Sequence, residues 1–88
     1  MTNNVFTHSI DATEVDDQFL KKYGRFMVGK LSQMFGMAPE NFQNDQRYEP
    51  IIDGDERYYY FVDQSGKRYC VLVTCQNDTP IGYKASEL

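Results

Sequence analysis

The stretch 57–75 constrains the fold of this chain more than any other part of the sequence. It consists of two runs of aromatic and β-branched residues, separated by three residues that end in Gly66. Such side chains fit a pleated strand, and Gly66 can take the positive φ of a bulged three-residue turn. The stretch therefore predicts an antiparallel hairpin in which Asp63 lies opposite Lys67.

This register divides the hairpin into two faces, because side chains alternate along a strand. One face carries Tyr59, Phe61, Tyr69, Val71, Val73 and Cys75, and the other carries Tyr58, Tyr60, Val62, Cys70 and Leu72. In an antiparallel sheet with one solvent-exposed face, apolar residues alternate with polar residues along each strand. The two strands of this hairpin do not show that alternation. Each face therefore needs a cover. We expect the first face, which has the larger apolar set, to pack against a helix.

A long amphipathic helix is predicted before the hairpin, since apolar residues recur there at spacings of three and four. The stripe comprises Val15, Phe19, Tyr23, Phe26, Met27, Leu31 and Met34. Thr13 is the predicted N-cap and Gly36 the predicted C-cap. Gly24 and Gly29 lie inside the helix at a cost in stability, so we expect a packing reason, such as close approach of the sheet or of a partner helix.

Shorter elements complete the predicted fold. Strands are predicted at 5–10, 47–52 and 81–84, followed by a tail at 85–88. A helical turn begins at Pro39, and Pro50 restricts its strand to an edge because it cannot donate to the ladder. We therefore predict a single domain, 1–88, with an α+β fold: an antiparallel β-sheet of three to five strands with one long amphipathic helix packed on one face, a two-layer sandwich.

The net charge and the cysteines restrict the partners and the cellular compartment that we expect for this protein. A net charge of -4 argues against duplex DNA and anionic membranes as partners. No apolar run approaches the roughly 20 residues of a membrane span, and the N-terminal residues lack the features of a signal peptide. Cys70 and Cys75 lie five positions apart in one strand, so they point to opposite faces and cannot pair. We expect reduced thiols in a cytoplasmic protein.

No catalytic, phosphate-binding or metal-binding motif is recognisable in the sequence. His8 has no visible triad or metal partner, so we interpret it as structural or exposed. Asp53, Asp55 and Glu56 cluster at a turn, but they lack the alternating ligand spacing of a calcium loop. We therefore predict a protein that is not an enzyme and that uses no cofactor and no metal.

The second hairpin face is the candidate partner-binding surface. We assign to it Tyr58, Tyr60 and Leu72, together with Arg57 and Arg68. Tyrosine suits such a surface, because its ring contacts a partner while its hydroxyl tolerates water. The competing interpretation is a second small core, formed if Met37, Phe42 or the N-terminal strand folds over this face.

The hypothesis is a small protein-binding module whose partner is another protein or a second copy of the chain. Short acidic domains without catalytic motifs are common among phage and mobile-element proteins that bind and block a host protein, so inhibition is the expected role. The alternative is binding of a small ligand, a nucleotide or single-stranded nucleic acid, with bases stacked on Tyr58 and Tyr60 beside Arg57 and Arg68. The net charge argues against nucleic acid.

Overall fold

A computed structural model describes residues 18–88 and shows one helix followed by an antiparallel sheet. The elements are helix α1 (Gln18–Phe35), a 3₁₀ turn (Pro39–Asn41), and strands β1 (Phe42–Asn44), β2 (Ile51–Asp53), β3 (Glu56–Asp63), β4 (Arg68–Gln76) and β5 (Thr79–Glu87). The predicted α+β fold is confirmed, with five strands in the sheet and 18 residues in the described helix. The predicted strand 5–10, the N-cap Thr13, Val15 and His8 lie outside the described residues.

The β3–β4 hairpin has the predicted register and forms the centre of the sheet. The strand order is β1-β3-β4-β5, and β2 pairs with the same edge of β3 as β1 does. Tyr59 lies opposite Val71, and Tyr60 opposite Cys70. At the turn, the N–H of Gly66 donates to the carbonyl of Asp63 at 3.0 Å, and Gly66 has a φ of 93°. The three-residue turn is therefore confirmed.

The core lies between α1 and the face of the hairpin that was expected to be buried. Its buried residues are Phe19, Met27, Leu31, Phe42, Tyr59, Phe61, Tyr69, Val71, Val73, Cys75 and Ala85. Aromatic contacts join the two layers: Phe19 stacks on Tyr59 with ring centroids 5.8 Å apart, and the Phe35 ring lies 4.9 Å from that of Tyr69. Complete burial of one such side chain stabilises the fold by about 1.5 to 3 kcal/mol relative to its exposure.

The helix differs from its prediction in detail. Gly36 ends it as expected, with a φ of 71° and an N–H that donates to the carbonyl of Ser32 at 2.9 Å. Phe26 and Met34, predicted as core residues, are 48% and 53% exposed. Phe26 is displaced because Leu20, Val28 and Phe35 also pack on the core and turn the buried face away from it. In the last turn, Phe35 contacts Tyr69 while Met34 faces solvent.

The two helical glycines do not mark a close approach of the sheet. A Cβ atom at Gly29 would meet nothing within 4 Å, and one at Gly24 would meet only the Leu20 side chain of the same helix. Close approach of the sheet is therefore wrong as the reason for these glycines within the described residues, and a partner helix at this position stays a prediction.

Three other predictions need correction. The strand predicted at 47–52 is only Ile51–Asp53, because a turn forms after Asp45, whose carbonyl accepts a hydrogen bond from the N–H of Tyr48 at 3.3 Å. The final strand runs from Thr79 to Glu87, so there is no tail at 85–88. It is longer because Ala85, predicted to lie in the tail, is buried against the core.

Met37 and Phe42 do not cover the second hairpin face. The Phe42 ring lies 5.4 Å from that of Tyr69, and Met37 packs against the same helix-side core. The competing interpretation is thus wrong for these two residues. Within residues 18–88, no helix combines the length and the apolar character needed to cross a membrane.

Candidate functional site

The candidate site is the outer face of the sheet, which we define by Tyr58, Tyr60, Val62, Cys70 and Leu72. Tyr58 lies opposite Leu72 and Tyr60 opposite Cys70, in the two central strands. All five side chains are half-buried. Among residues 18–88 no helix lies over them, because α1 packs against the opposite face. The outer face is therefore a continuous aromatic and apolar surface at the middle of the sheet.

Neighbouring strands extend the outer face on both sides. Lys84 of β5 lies opposite Leu72, and Ser86 lies opposite Cys70. On the other side, Ile51 of β2 lies opposite Tyr58, and it is 50% exposed. Residues that lie directly opposite each other share a face, so these three side chains border the central five.

The structure brings together four of the five residues that the sequence assigned to the site. Tyr58, Tyr60, Leu72 and Arg68 share the outer face, since Arg68 lies opposite Val62. The fifth residue belongs to the other side of the sheet.

Arg57 lies on the helix side, opposite Val73, which belongs to the core. Its guanidinium sits 4.3 Å from the centre of the Phe19 ring, and Nη2 donates to Oδ1 of Asp78 at 3.1 Å. Because alternate residues of a strand point to opposite faces, Arg57 cannot act together with Tyr58 or Tyr60 on one flat partner surface.

A cluster of two tilted rings and a guanidinium occupies one corner of the outer face. The Tyr48 ring lies 5.3 Å from the Tyr60 ring, and the Arg68 guanidinium lies 5.6 Å from the Tyr48 ring. Arg68 also donates a hydrogen bond from Nη1 to the Tyr48 hydroxyl at 2.9 Å. Cation–ring contacts of this kind stabilise by about 0.5 to 1 kcal/mol at exposed sites. The cluster gives this corner a defined shape.

Sequence reasoning misses Tyr48, because the pattern at 47–52 predicts a strand. The signal that could have revealed it is the polar turn sequence before it together with Pro50 after it, which favour a loop over a strand. A loop at this position can fold back over the neighbouring strand, and Tyr48 does so over Tyr60.

A buried carboxylate lies beneath this corner. Asp45 is 3% exposed, and its Oδ1 accepts hydrogen bonds from the backbone N–H of Arg47 at 3.2 Å and from its Nε at 3.4 Å. Its Oδ2 lies 3.8 Å from Nε of Arg68 and has no hydrogen bond. The backbone N–H of Asp45 donates to the carbonyl of Tyr60 at 2.8 Å. Asp45 thus attracts Arg68 toward the sheet and helps to position it over Tyr48.

The polar groups at the centre of the outer face are uncharged at neutral pH. Burial raises the pKa of Tyr60, and a hydrogen bond to Glu56, at 3.2 Å, raises the pKa of Tyr58. Burial also raises the pKa of the Cys70 thiol, an effect that a hydrogen bond with Tyr60 partly offsets. Cys70 is thus a neutral thiol at pH 7 rather than the thiolate that acts as a nucleophile.

The acidic residues and cysteines that were considered as metal ligands or reactive groups are not grouped into one site in the described part of the structure. Asp53 and Asp55 are exposed at the β2–β3 turn, where Asp53 lies opposite Glu56. Within residues 18–88, no three His, Cys, Asp or Glu side chains are grouped closely enough to hold a metal ion. Cys70 and Cys75 are both free and lie on opposite faces of β4, as the odd spacing predicted.

Comparison with known proteins adds no family assignment. No protein-family model, no curated protein and no solved structure matches this chain.

Proposed function

We propose that this protein acts by binding another protein through the outer face of its sheet and that it catalyses no reaction. The main support for the proposal is that a described helix covers only one face of the sheet. Helix α1 packs on one face, while the other keeps five aromatic and apolar side chains half-buried with no described helix over them. Contiguous apolar patches on small proteins are commonly interaction sites.

The chemistry of the outer face suits a protein partner. Tyr58 and Tyr60 each offer a large ring with few rotamers to immobilise, and both hydroxyls remain protonated and uncharged. A partner can therefore cover the centre of the face without removing a charge from water. Charged residues border the centre: Arg68 lies opposite Val62, Lys84 lies opposite Leu72, and Asp53 lies opposite Glu56.

We extend the proposal to a biological role, inhibition of a host protein by a phage or mobile-element protein. The support is the small size of the chain, 88 residues, and its net charge of -4. Steric occlusion would suffice for such inhibition, since a bound domain can block access to its target without chemistry.

The test uses a double substitution on the outer face, Tyr60→Ala with Leu72→Ser. The matched control, Met34→Ala with Ile52→Ser, removes exposed apolar side chains from the helix and from β2. Each tagged protein is used to capture partners from lysate of the natural host cell. The captured protein is then purified, and its Kd is measured by calorimetry. We expect the outer-face variant to bind at least about 30-fold more weakly, as for hot-spot residues, and the control to bind like wild type.

The fold of each variant is checked by near-UV circular dichroism and thermal unfolding. If the outer-face variant loses its fold while the control does not, Tyr60 and Leu72 belong to a second core and the proposal fails. Equal binding by the folded variant and wild type would also contradict it. Alkylation of Cys70 provides a second readout, because a partner on the outer face should slow the reaction of this half-buried thiol.

A second candidate function is binding of single-stranded nucleic acid or a nucleotide. The observation in its favour is the cluster of Arg68, Tyr48 and Tyr60, since rings beside a guanidinium can stack bases. The test is the fluorescence anisotropy of a labelled oligonucleotide at low salt, where electrostatic binding is strongest. Binding that is lost in Arg68→Ala would favour this candidate, and no binding of either the oligonucleotide or a labelled nucleotide at low salt would exclude it.

A further inference from the structure

The outer edge of β5 is the long unpaired edge of the described sheet. The opposite edge consists of β1 and β2, which have three residues each and are separated by a loop that contains Pro50. β5 has nine residues, and within residues 18–88 no strand lies beyond it. A long unpaired edge is a template for pairing with another strand.

The register shows which backbone groups of β5 point outward. In an antiparallel ladder, every second residue turns its N–H and C=O toward the neighbouring strand. The N–H of Leu88 donates to the carbonyl of Arg68 at 2.9 Å, so the even-numbered residues at this end of β5 face β4. Tyr83, Ala85 and Glu87 therefore direct their N–H and C=O groups away from the sheet.

The same alternation is found on the other side of β4. The N–H of Asp63 donates to the carbonyl of Lys67 at 2.9 Å, so Tyr69, Val71 and Val73 turn their backbone groups toward β3. These three residues lie opposite Glu87, Ala85 and Tyr83. Their backbone groups are thus used within the hairpin, and the outward groups of β5 have no partner among the described strands.

We propose that a second copy of the protein pairs with this edge, β5 antiparallel to β5, about a twofold axis at Ala85. In this register Ala85 lies opposite Ala85 of the second copy, and the small side chain allows the strands to approach. Lys84 lies opposite Ser86, and Tyr83 lies opposite Glu87. No like charges are directly opposite, so the edge is complementary to itself, as a twofold interface requires.

The helix layer adds an apolar contact at the same β5–β5 interface. α1 packs on β5, where the Phe26 ring lies 6.5 Å from the ring of Tyr83. Phe26 is 48% exposed. A twofold axis normal to the sheet places both helices on one side, so that this exposed ring lies near the second helix. The pairing thus combines backbone hydrogen bonds with burial of an apolar side chain.

The dimer would present the outer face twice. Two five-stranded sheets would join into one sheet of ten strands, with both outer faces on the side away from the helices. A partner with two matching sites would then be bound by both copies at once. The dimer itself does not depend on the proposed function.

The test introduces a charge at Ser86, which is exposed. In the proposed dimer, Ser86 of each copy lies opposite Lys84 of the other copy. Ser86→Lys creates two like-charge pairs, and Ser86→Glu creates two opposite-charge pairs. We expect the dimer Kd, from sedimentation over a concentration series, to rise about 3- to 10-fold for the lysine variant and to fall similarly for the glutamate variant. Gln43→Lys and Gln43→Glu, exposed on β1, are the controls and should leave the Kd unchanged.

Hydrogen exchange at the outward amides gives a second readout. Protection of the Tyr83, Ala85 and Glu87 amides should increase with protein concentration. A wild-type mass that stays monomeric over the series overturns the proposal, as do Ser86 variants that shift the Kd in the same direction. Protection that is independent of concentration would assign the edge to another part of the same chain and also overturn it. None of these outcomes affects the capture experiment with Tyr60 and Leu72 variants, so the two proposals fail separately.

Discussion

The hydroxyl of Tyr69 donates a hydrogen bond to Oδ2 of Asp63 at 2.7 Å, inside the hairpin at the centre of the sheet. Oδ1 of the same carboxylate accepts hydrogen bonds from Oγ and N–H of Ser65, at 2.7 and 2.9 Å, and from the N–H of Lys67 at 3.0 Å. One buried carboxylate thus closes the β3–β4 turn and joins it to the core. The hydrogen bonds from Ser65 and Tyr69 lower the pKa of Asp63 to about 2.

Replacement of Asp63 by asparagine should destabilise the protein at pH 7 and much less at pH 2. The pKa of Asp63 in the folded protein is about 2, below its ordinary value of 3.8, so folding favours the ionised form. Its stabilising contribution is complete above about pH 4 and is lost as the pH falls toward 2. Urea unfolding of both proteins at pH 7, 4 and 2 measures the difference. Asp55→Asn, in the exposed turn, is the control, and a difference that is independent of pH would contradict the prediction.

Tyr69→Phe should reduce the free energy of unfolding at pH 7 by about 1.5 to 3 kcal/mol, since it removes a buried hydrogen bond to a charged group. Burial, with a contribution from Asp63, raises the pKa of Tyr69 to about 12. Wild-type stability should therefore fall as the pH rises from 10 to 12, and the variant should lack this component. Urea unfolding at pH 7 to 11 checks both effects. Tyr58→Phe, which loses a hydrogen bond on the outer face, should reduce the stability much less than Tyr69→Phe does.

The β4–β5 turn should prefer glycine to alanine at position 78. Asn77 and Asp78 have φ values of 53° and 63°, as in the two-residue hairpin turn of type I′. Asp78→Gly and Asp78→Ala both remove the carboxylate that accepts from Arg57, so their difference isolates the backbone conformation. We expect the glycine variant to be more stable by about 1 kcal/mol, because a Cβ atom disfavours the left-handed region. Equal unfolding temperatures for the two variants would argue against this turn type.

The buried and exposed apolar residues of α1 should respond differently to truncation. Leu31 has no exposed surface, and Leu31→Ala should cost about 2 to 5 kcal/mol because it leaves a cavity in the core. Met34→Ala removes a side chain that is 53% exposed and should change stability by no more than about 0.5 kcal/mol. Chemical denaturation of both variants tests the burial pattern. A large loss at Met34 would mean that the last turn of the helix packs more tightly than described.

The candidate site could be predicted only in part from the sequence. Tyr58, Tyr60 and Leu72 were assigned correctly to one face, because alternation along a strand is a local rule once the register is set. The same rule applied to position 57 would have placed Arg57 on the helix side with Tyr59. Tyr48 and Asp45 were missed because they reach the site through a loop, and the path of a loop depends on what it packs against.

What the sequence determined by itself is the β3–β4 hairpin, its register and the face that is buried. These follow from short-range features, namely the turn at Gly66 and the alternation of side chains on either side of it. The tertiary structure decided which apolar residues of α1 are buried, how far β5 extends, and that Tyr48 folds over Tyr60. Each of these depends on contacts between residues far apart in the chain, such as that of Phe35 with Tyr69 and the burial of Ala85 against the core. Local periodicity carries no information about which of several apolar residues finds such a partner, because that is settled by close packing of the whole core.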